Sequence, residues 1–352
     1  MERTTVSVYE EHAREWEARR SVSRPEDAVC LGGQVEPGAV RVDLGCGPGW
    51  HSELLGEPVV ALDAAGATLE LARDHTPRAW LVQADLEALP FRDGSLGGAW
   101  AHASYQHLPR AGLPMALARL HWALHAGAPF HLVVHHGDGE GERPGDDFAG
   151  RFFAEWRADA LTGVLTGAGF AVEDLDVDDK WVHVRARRAR TLPDTVGPGM
   201  RLLVCGLNPS LYAADAGVGY ARPGNRFWPA ALAAGLLTRD RDPVHALTVH
   251  GVGMTDLVKR ATRAASELTV IEYREGTGRL ERLVRWLRPR AICFVGLAGW
   301  RAAVDRTAAA GEQPGGFAGV PAYVMPSTSG ANASARVGDL VAQLRAAARL
   351  AA

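Results

Sequence analysis

Short apolar runs that stop at a glycine or an acid recur along this chain, each followed by a mixed stretch long enough for a helix. Residues 40–44 (VRVDL) run into Gly45-Cys46-Gly47-Pro48-Gly49, and residues 59–62 (VVAL) end at Asp63. Residues 80–84 (WLVQA) lead to Asp85 and Leu86, and residues 99–101 (AWA) lead into HASYQHLP. A further run at 201–205 (RLLVC) stops at the turn Gly206-Leu207-Asn208-Pro209-Ser210. Such runs predict buried strands, and their alternation with helical stretches predicts α/β layers. The segment NRFW at 225–228 is expected to open a helix, with Phe227 and Trp228 in the core.

Residues 187–200 (RRARTLPDTVGPGM) join a basic run to a Pro/Gly-rich stretch with no helical or strand period, the composition of a linker. The organisation expected is therefore a domain at 1–186, a linker at 187–200 and a second domain at 201–352. Each reads as a three-layer α/β/α domain. A length of 352 residues suits two or three domains of about 150 residues. Residues 137–147 (GDGEGERPGDD) read as a loose surface lid or insertion in the first domain.

Composition narrows the class. The chain is 47% hydrophobic and 22% charged, with no run that would span a bilayer, so no membrane partner is expected. Its start, MERTTVSVYEEHAREW, lacks an apolar signal core, and a cytoplasmic protein is the simple reading. Cys30, Cys46, Cys205 and Cys293 are too scattered for a CxxC zinc site, an iron–sulfur ligand set or a disulfide framework, and no metal is expected. The net charge of −3 hides an asymmetry: residues 1–195 carry 19 basic against 30 acidic side chains, and residues 196–352 carry 19 against 11. A basic half hints at nucleic acid.

The glycines at 45, 47 and 49 let the backbone turn sharply and approach a ligand without Cβ clashes. Asp63 stands where ribose hydroxyls could be held, and Asp85 with Leu86 where an adenine amine could be read. A glycine loop alone could equally introduce a dinucleotide domain. The order DLGCGPG, LDA, QADLEALPF and SYQHLP resembles class I S-adenosylmethionine-dependent methyltransferases of the small-molecule type, over roughly residues 8–185. The resemblance implies a Rossmann-like fold that binds S-adenosylmethionine beneath the helix YEEHAREWEARR. Gly45, Gly47 and Gly49 would pass under its methionine part, Asp63 would hold the ribose, and Asp85 with the Leu86 amide would hold the adenine. Amino-methylating DNA enzymes place Asn/Asp-Pro-Pro-aromatic after the fourth strand, where this chain has Ser104-Tyr105-Gln106-His107, so DNA methylation is disfavoured. The methyl acceptor is a small molecule or unknown. His102, His107, His131, His135 and His136 are expected to be ordinary strand-end and surface histidines.

In the second half, GLNPSLYAADAGVGYARPGNRFW, GMTDLVKRATRAASELT and VMPSTSGANAS resemble the mismatch-specific branch of the uracil-DNA glycosylases over about residues 199–350. The fold implied is a uracil-DNA glycosylase fold with a short parallel sheet, needing neither metal nor organic cofactor. The activity implied is hydrolysis of uracil from deoxyribose in mismatched or single-stranded DNA, with the nucleotide first extruded from the stack. By resemblance, Asn208 places the attacking water, Tyr220 is the platform for the flipped base, and Gly206, Leu207 and Ser210 line the base pocket. Ser327, Thr328, Ser329, Gly330, Ala331 and Asn332 lie in the loop that enters the duplex and grips phosphate. Arg226 is expected to fix the Asn208 loop, to face phosphate or to form a structural salt bridge.

Three features depart from the family pattern. Gly330, Ala331 and Asn332 are small where a wedge is usual, which predicts a preference for single-stranded or mispaired uracil. Ser210 replaces a usual Gly and is expected to exclude thymine. Asp256 replaces a Lys of some relatives. The alternative reading makes methyl transfer the principal activity, with the second half only binding uracil-containing or abasic DNA.

Overall fold

A computed structural model describes residues 2–332 and 335–351. By packing, the chain divides into one unit of residues 1–166 and 170–189 and another of residues 167–169 and 190–352.

The first unit opens with α1 (Arg3–Ala18) and α2 (Pro25–Gln34) and continues through β1 (Arg41–Leu44), β2 (Val59–Asp63), α3 (Gly66–His75), β3 (Trp80–Gln83), β4 (Gly98–His102), α4 (Leu113–Ala123) and β5 (Pro129–His135). A short hairpin, β6 (Glu140–Glu142) with β7 (Phe152–Ala154), precedes α5 (Ala158–Gly167), β8 (Phe170–Val177) and β9 (Trp181–Arg188). The sheet order is β3-β2-β1-β4-β5-β9-β8. The first five run parallel, and β9 is antiparallel to both of its neighbours. The central strands β1 and β5 are buried at every residue, as suits short, mainly apolar strands covered on both faces. The edge strand β8 instead exposes most of its polar positions. Trp100 of β4 is fully buried against Ala28, Leu31 and Val35 of α2, which fastens that helix to the sheet.

The second unit runs β10 (Leu202–Gly206), α6 (Leu211–Ala216), α7 (Phe227–Ala233), α8 (Pro243–His250), β11 (Val252–Asp256), α9 (Val270–Leu287), β12 (Ala291–Val295), α10 (Leu297–Ala303), β13 (Gly311–Phe317), β14 (Val320–Met325) and α11 (Val337–Leu350). Its sheet has the order β11-β10-β12-β14-β13, parallel except for the edge strand β13. Phe227 and Trp228 open α7 and are buried in a core shared with β10, β11, β12, β14 and α11. Both units are three-layer α/β folds, as the strand–helix alternation predicts. Among the described residues, no helix is long and apolar enough to cross a membrane.

Two expectations about loose segments need correction. Residues 187–200 are not a free linker: β9 extends through Arg188, and Thr191, Asp194, Thr195 and Val196 are buried in the second unit. Thr195 pairs with Met254 of β11. The Asp194 carboxylate accepts from Arg279 Nη1 at 2.6 Å, Lys259 Nζ at 2.7 Å and Thr255 Oγ1 at 2.6 Å. Burial alone would raise its pKa, but the two cations outweigh it and hold it below the usual range. Residues 137–147 are likewise built in, since they contain β6 and are tied back by the Arg143–Glu155 and Arg157–Asp138 ion pairs.

Candidate functional site

In the first unit, the carboxyl ends of β1, β2 and β4 meet at the glycine loop. Gly45, Gly47 and Gly49 have φ of +72°, +53° and +83°, a region closed to most side chains. A Cβ on Gly45 would lie 2.3 Å from Ser104 Cβ, and one on Gly49 2.8 Å from Thr76 Cγ2. A Cβ on Gly47 would meet only the Trp16 ring of α1, at 3.8 Å, so the loop keeps open space under that helix. Asp63, ending β2, accepts from Gly47 N at 2.8 Å and Ala65 N at 2.9 Å. Each carboxylate oxygen thereby takes one amide and keeps acceptor capacity for a hydroxyl. Burial raises the Asp63 pKa, and the amides of Ala65 and Gly47 pull it back. Asp85 accepts from the Glu87 amide, and Leu86 is buried beside it.

Sequence reading missed Asp43, which is buried in β1, accepts from Ser52 Oγ at 2.7 Å and is pushed up to about 7 by burial. An acid inside an apolar strand (VDL) was the available signal. It also missed a network under α1. Arg151 Nη1 donates to Tyr9 Oη at 3.0 Å, and Tyr9 Oη lies 3.1 Å from His107 Nε2. His107 Nδ1 lies 2.7 Å from the Phe152 carbonyl and must carry the proton, which makes Nε2 the acceptor for Tyr9. Burial lowers His107 to about 4, so the ring is neutral. His107, in the helical turn after β4, and His131 and His135, on the covered strand β5, are thus buried rather than surface histidines. Glu10 of α1 accepts from the Gly66 and Ala67 amides at the start of α3, which fixes α1 beside the loop.

In the second unit, the turn after β10 lies beside the end of β11, and the two are joined by Leu257 N to Gly206 O and Val258 N to Leu207 O, both 2.9 Å. Asn208 Nδ2 donates to the Arg260 carbonyl at 3.0 Å, the Pro209 carbonyl at 3.2 Å and Thr262 Oγ1 at 2.8 Å. Carbonyls only accept, so the amide nitrogen faces them. Asn208 Oδ1 has no partner among the described residues and can accept from a water.

A Cβ on Gly206 would lie 2.3 Å from Asp256 Oδ1 and 3.1 Å from Tyr220 Oη. Tyr220 stacks on Phe227 at 4.2 Å between centroids and adopts φ +59°, a strained conformation for a non-glycine residue, while its buried hydroxyl has no hydrogen-bond partner. Burial pushes Asp256 up to about 6 despite the cations Lys259 and Arg279, with Asp194 adding to the rise. The end of β10 therefore has Tyr220 and Asp256 meeting over Gly206, with Leu207 and Asn208 in the turn that follows.

Ser210 has a structural use, since its hydroxyl caps α6 by accepting from Ala213 N at 3.1 Å. Arg226 forms no salt bridge among the described residues. It donates to the backbone carbonyls of Ser329 at 2.6 Å, Asn332 at 2.7 Å and Ala335, and its amide donates to Thr328 O. The loop is also knit internally, by Asn332 Nδ2 to Ser327 O at 2.8 Å and by the Ser327 and Ser329 hydroxyls accepting from the Ser329 and Ala331 amides. Thr328 is buried, whereas Gly330 and Ala331 are exposed. Ala333, at the end of the expected loop, lies outside the described residues.

Residues 193–348 match the family model described as the uracil DNA glycosylase superfamily, and residues 42–131 match the one described as a methyltransferase domain. Solved structures similar to this chain include 1,6-didemethyltoxoflavin-N1-methyltransferase of Burkholderia thailandensis with bound 1,6-didemethyltoxoflavin and S-adenosylhomocysteine. It is 21% identical over 53% of this chain and 88% of its own, with a TM-score of 0.44. An S-adenosylmethionine-dependent methyltransferase of Mesorhizobium loti is 19% identical over 45% of this chain and 96% of its own, with a TM-score of 0.38. Residues 193–348 thus resemble the uracil DNA glycosylase superfamily, and residues 42–131 resemble a methyltransferase domain.

Proposed function

We propose that the second unit is a DNA glycosylase that hydrolyses the bond between a flipped-out uracil and deoxyribose, acting on mispaired or single-stranded DNA. The observation that carries this reading is the Asn208 amide, pinned through Nδ2 with Oδ1 left free. An amide is a poor base, so Asn208 orients a water by accepting from it rather than ionising it. The water oxygen bonds to C1′ as the bond from C1′ to the base breaks, its electron pair leaves with the base, and the proton released by the water passes to the departing uracil anion or to solvent. Tyr220, held against Phe227, supplies the stacking surface for that base. The loop 327–332, braced by Arg226, offers hydroxyls and amides to phosphate oxygens, contacts that position DNA without specifying sequence.

The first unit is read as an S-adenosylmethionine-dependent methyltransferase of a small or unidentified acceptor. The open space at Gly47 and the spare acceptor capacity of Asp63 fit the methionine and ribose parts of that cofactor, and Asp85 with the Leu86 amide would take its adenine. The bound cofactor supplies an electrophilic methyl group. The protein's part is to orient it beneath α1.

The test is uracil release from single-stranded, U·A and G·U oligonucleotides, wild type beside Asn208→Ala. Release that drops about 10²-fold or more in the variant, with DNA binding retained, supports the glycosylase. No release by wild-type protein overturns it and leaves methyl transfer as the principal activity.

A further inference from the structure

On the face of the first sheet that α2 covers, two strands and a helix bring three ligand-type side chains together. β5 and β9 are antiparallel neighbours in which His131 lies opposite Arg185 and Val133 opposite His183. His131 and His183 are thus offset by two residues and share a face. Asp27 reaches them from the first turn of α2. One ligand atom from each of Asp27, His131 and His183 lies within 4.8 Å of the other two. Both imidazoles are buried, at 2% and 7% exposure, yet among the described residues Nε2 of His131 and Nδ1 of His183 have no hydrogen-bond partner. Buried polar atoms are normally satisfied, and two such imidazole nitrogens beside a carboxylate call for a ligand.

The surroundings suit a cation. Arg24 and Arg185 approach Asp27 to 3.5 and 3.9 Å, but each also pairs with a second acid, Asp176 and Asp174 respectively. Asp178 Oδ2 stands 3.5 Å from His183 Nε2, where a carboxylate can orient an imidazole that ligates through its other nitrogen. Those four carboxylates outnumber the two guanidiniums. A cleft of about 190 Å³ lined by Asp27, His131, Asp174 and Arg185 opens beside the group and admits water.

We propose that Asp27, His131 and His183 bind a divalent transition-metal ion, zinc foremost, with water from the cleft completing the coordination. Two imidazoles and one carboxylate suit zinc and its neighbours in the first row rather than magnesium or calcium, which take oxygen ligands. Bond lengths of about 2.0–2.2 Å place tetrahedral ligand atoms about 3.4 Å apart, so the group draws in by about 1 Å on binding. The ion clips α2 to β5 and β9. This site is separate from the glycine loop and does not depend on either proposed activity.

The experiment uses the full-length, untagged protein. Zinc retained after dialysis is counted, and Co²⁺ is titrated while its visible d–d absorption is followed. One equivalent of zinc and an intense tetrahedral cobalt band are expected, together with a zinc-dependent rise in Tm. His183→Gln and Asp27→Asn, checked for folding by circular dichroism, lower the affinity by about 10²-fold and abolish the Tm response. Asp27 is only partly buried, so its variant keeps the test alive if a histidine variant misfolds. The double variant His245→Gln, His250→Gln, which removes a neighbouring histidine pair of the second unit, leaves binding unchanged. Absence of stoichiometric binding by wild type, or loss of binding only in the His245/His250 variant, overturns the proposal.

Discussion

Asp256 Oδ1 and Tyr220 Oη share the space above Gly206, so a single methyl group there would come within 2.3 Å of one and 3.1 Å of the other. Gly206 is the floor of the proposed base pocket. Gly206→Ala is expected to displace both side chains and cut uracil release by about 10²-fold, since displacements near 1 Å are enough for that loss. Single-turnover kinetics on a G·U duplex check it. An unchanged rate would place the base elsewhere.

Asp256 also gives a pH dependence. With its carboxyl raised to about 6 by burial, and with Lys259, Arg279 and Asp194 as its charged neighbours, it is largely neutral below that pH and a carboxylate above it. A carboxylate over the pocket opposes a base leaving as an anion. Uracil release is therefore expected to fall as pH rises through about 6, and Asp256→Asn to flatten the profile. Stability follows the same sign. A folded pKa above the unfolded value contributes stability that is full below about 4 and lost as pH rises through 6. At pH 7 Asp256→Asn should then be more stable than wild type, on the order of 1 kcal/mol after allowing for partial solvent access. Urea denaturation at pH 4 and pH 7 measures the difference.

Removal of Asp194 leaves Arg279 and Lys259 without their shared partner inside the second unit. Asp194→Ala is expected to cost about 3–5 kcal/mol, the usual result of orphaning buried charge. Because the Asp194 pKa is depressed, its contribution is present at neutral pH and fades as pH falls through the folded pKa. Thermal unfolding of the second unit at pH 7 is the readout, and a loss within 1 kcal/mol would contradict the buried pairing.

Ser210 separates a structural role from a specificity role. Loss of the α6 cap in Ser210→Ala should cost about 1 kcal/mol, and in Ser210→Gly only a few tenths. If the side chain also excludes thymine, Ser210→Gly gains release of thymine from G·T. A stability change with no gain on G·T leaves the hydroxyl as a cap alone.

Asp63 holds the Gly47 amide as well as standing where ribose would bind. Asp63→Ala is expected to lower S-adenosylmethionine affinity by at least about 10-fold and to lower Tm in the absence of cofactor, because two backbone amides lose their acceptor. Gly47→Arg fills the open space beneath Trp16 and abolishes binding. Calorimetric titration distinguishes the two, and retained affinity in both would separate this loop from cofactor binding.

Much of the fold was legible because it rests on local patterns. The buried strands at 41–44, 59–63, 98–102 and 202–206 announced themselves as short, mainly apolar runs, and the glycine loop by turns that only glycine makes easily. The turn Gly206-Leu207-Asn208-Pro209-Ser210 was legible as a turn for the same reason. The stretch at 187–200 was misread because Pro, Gly and charge describe a linker equally well when the partners of Asp194 lie 61 to 85 residues further on. Arg226 was left open between three roles for a similar reason, since its acceptors are backbone carbonyls more than 100 residues away.

By itself the sequence determined the two α/β halves, their strand order in outline, and the turn chemistry that puts Asn208 and the three glycines at sheet edges. These follow from residue-by-residue propensity and period. Tertiary structure alone decided that the Asn208 amide points its nitrogen into the protein, that Asp256 meets Tyr220 over Gly206, and that His131 and His183 converge on Asp27. Scattered cysteines could speak against a cysteine metal site, but nothing in spacing reports on histidines from antiparallel strands 52 positions apart. Contacts of that kind are set by strand register and by the helix packed across it, quantities that the order of residues along the chain does not display.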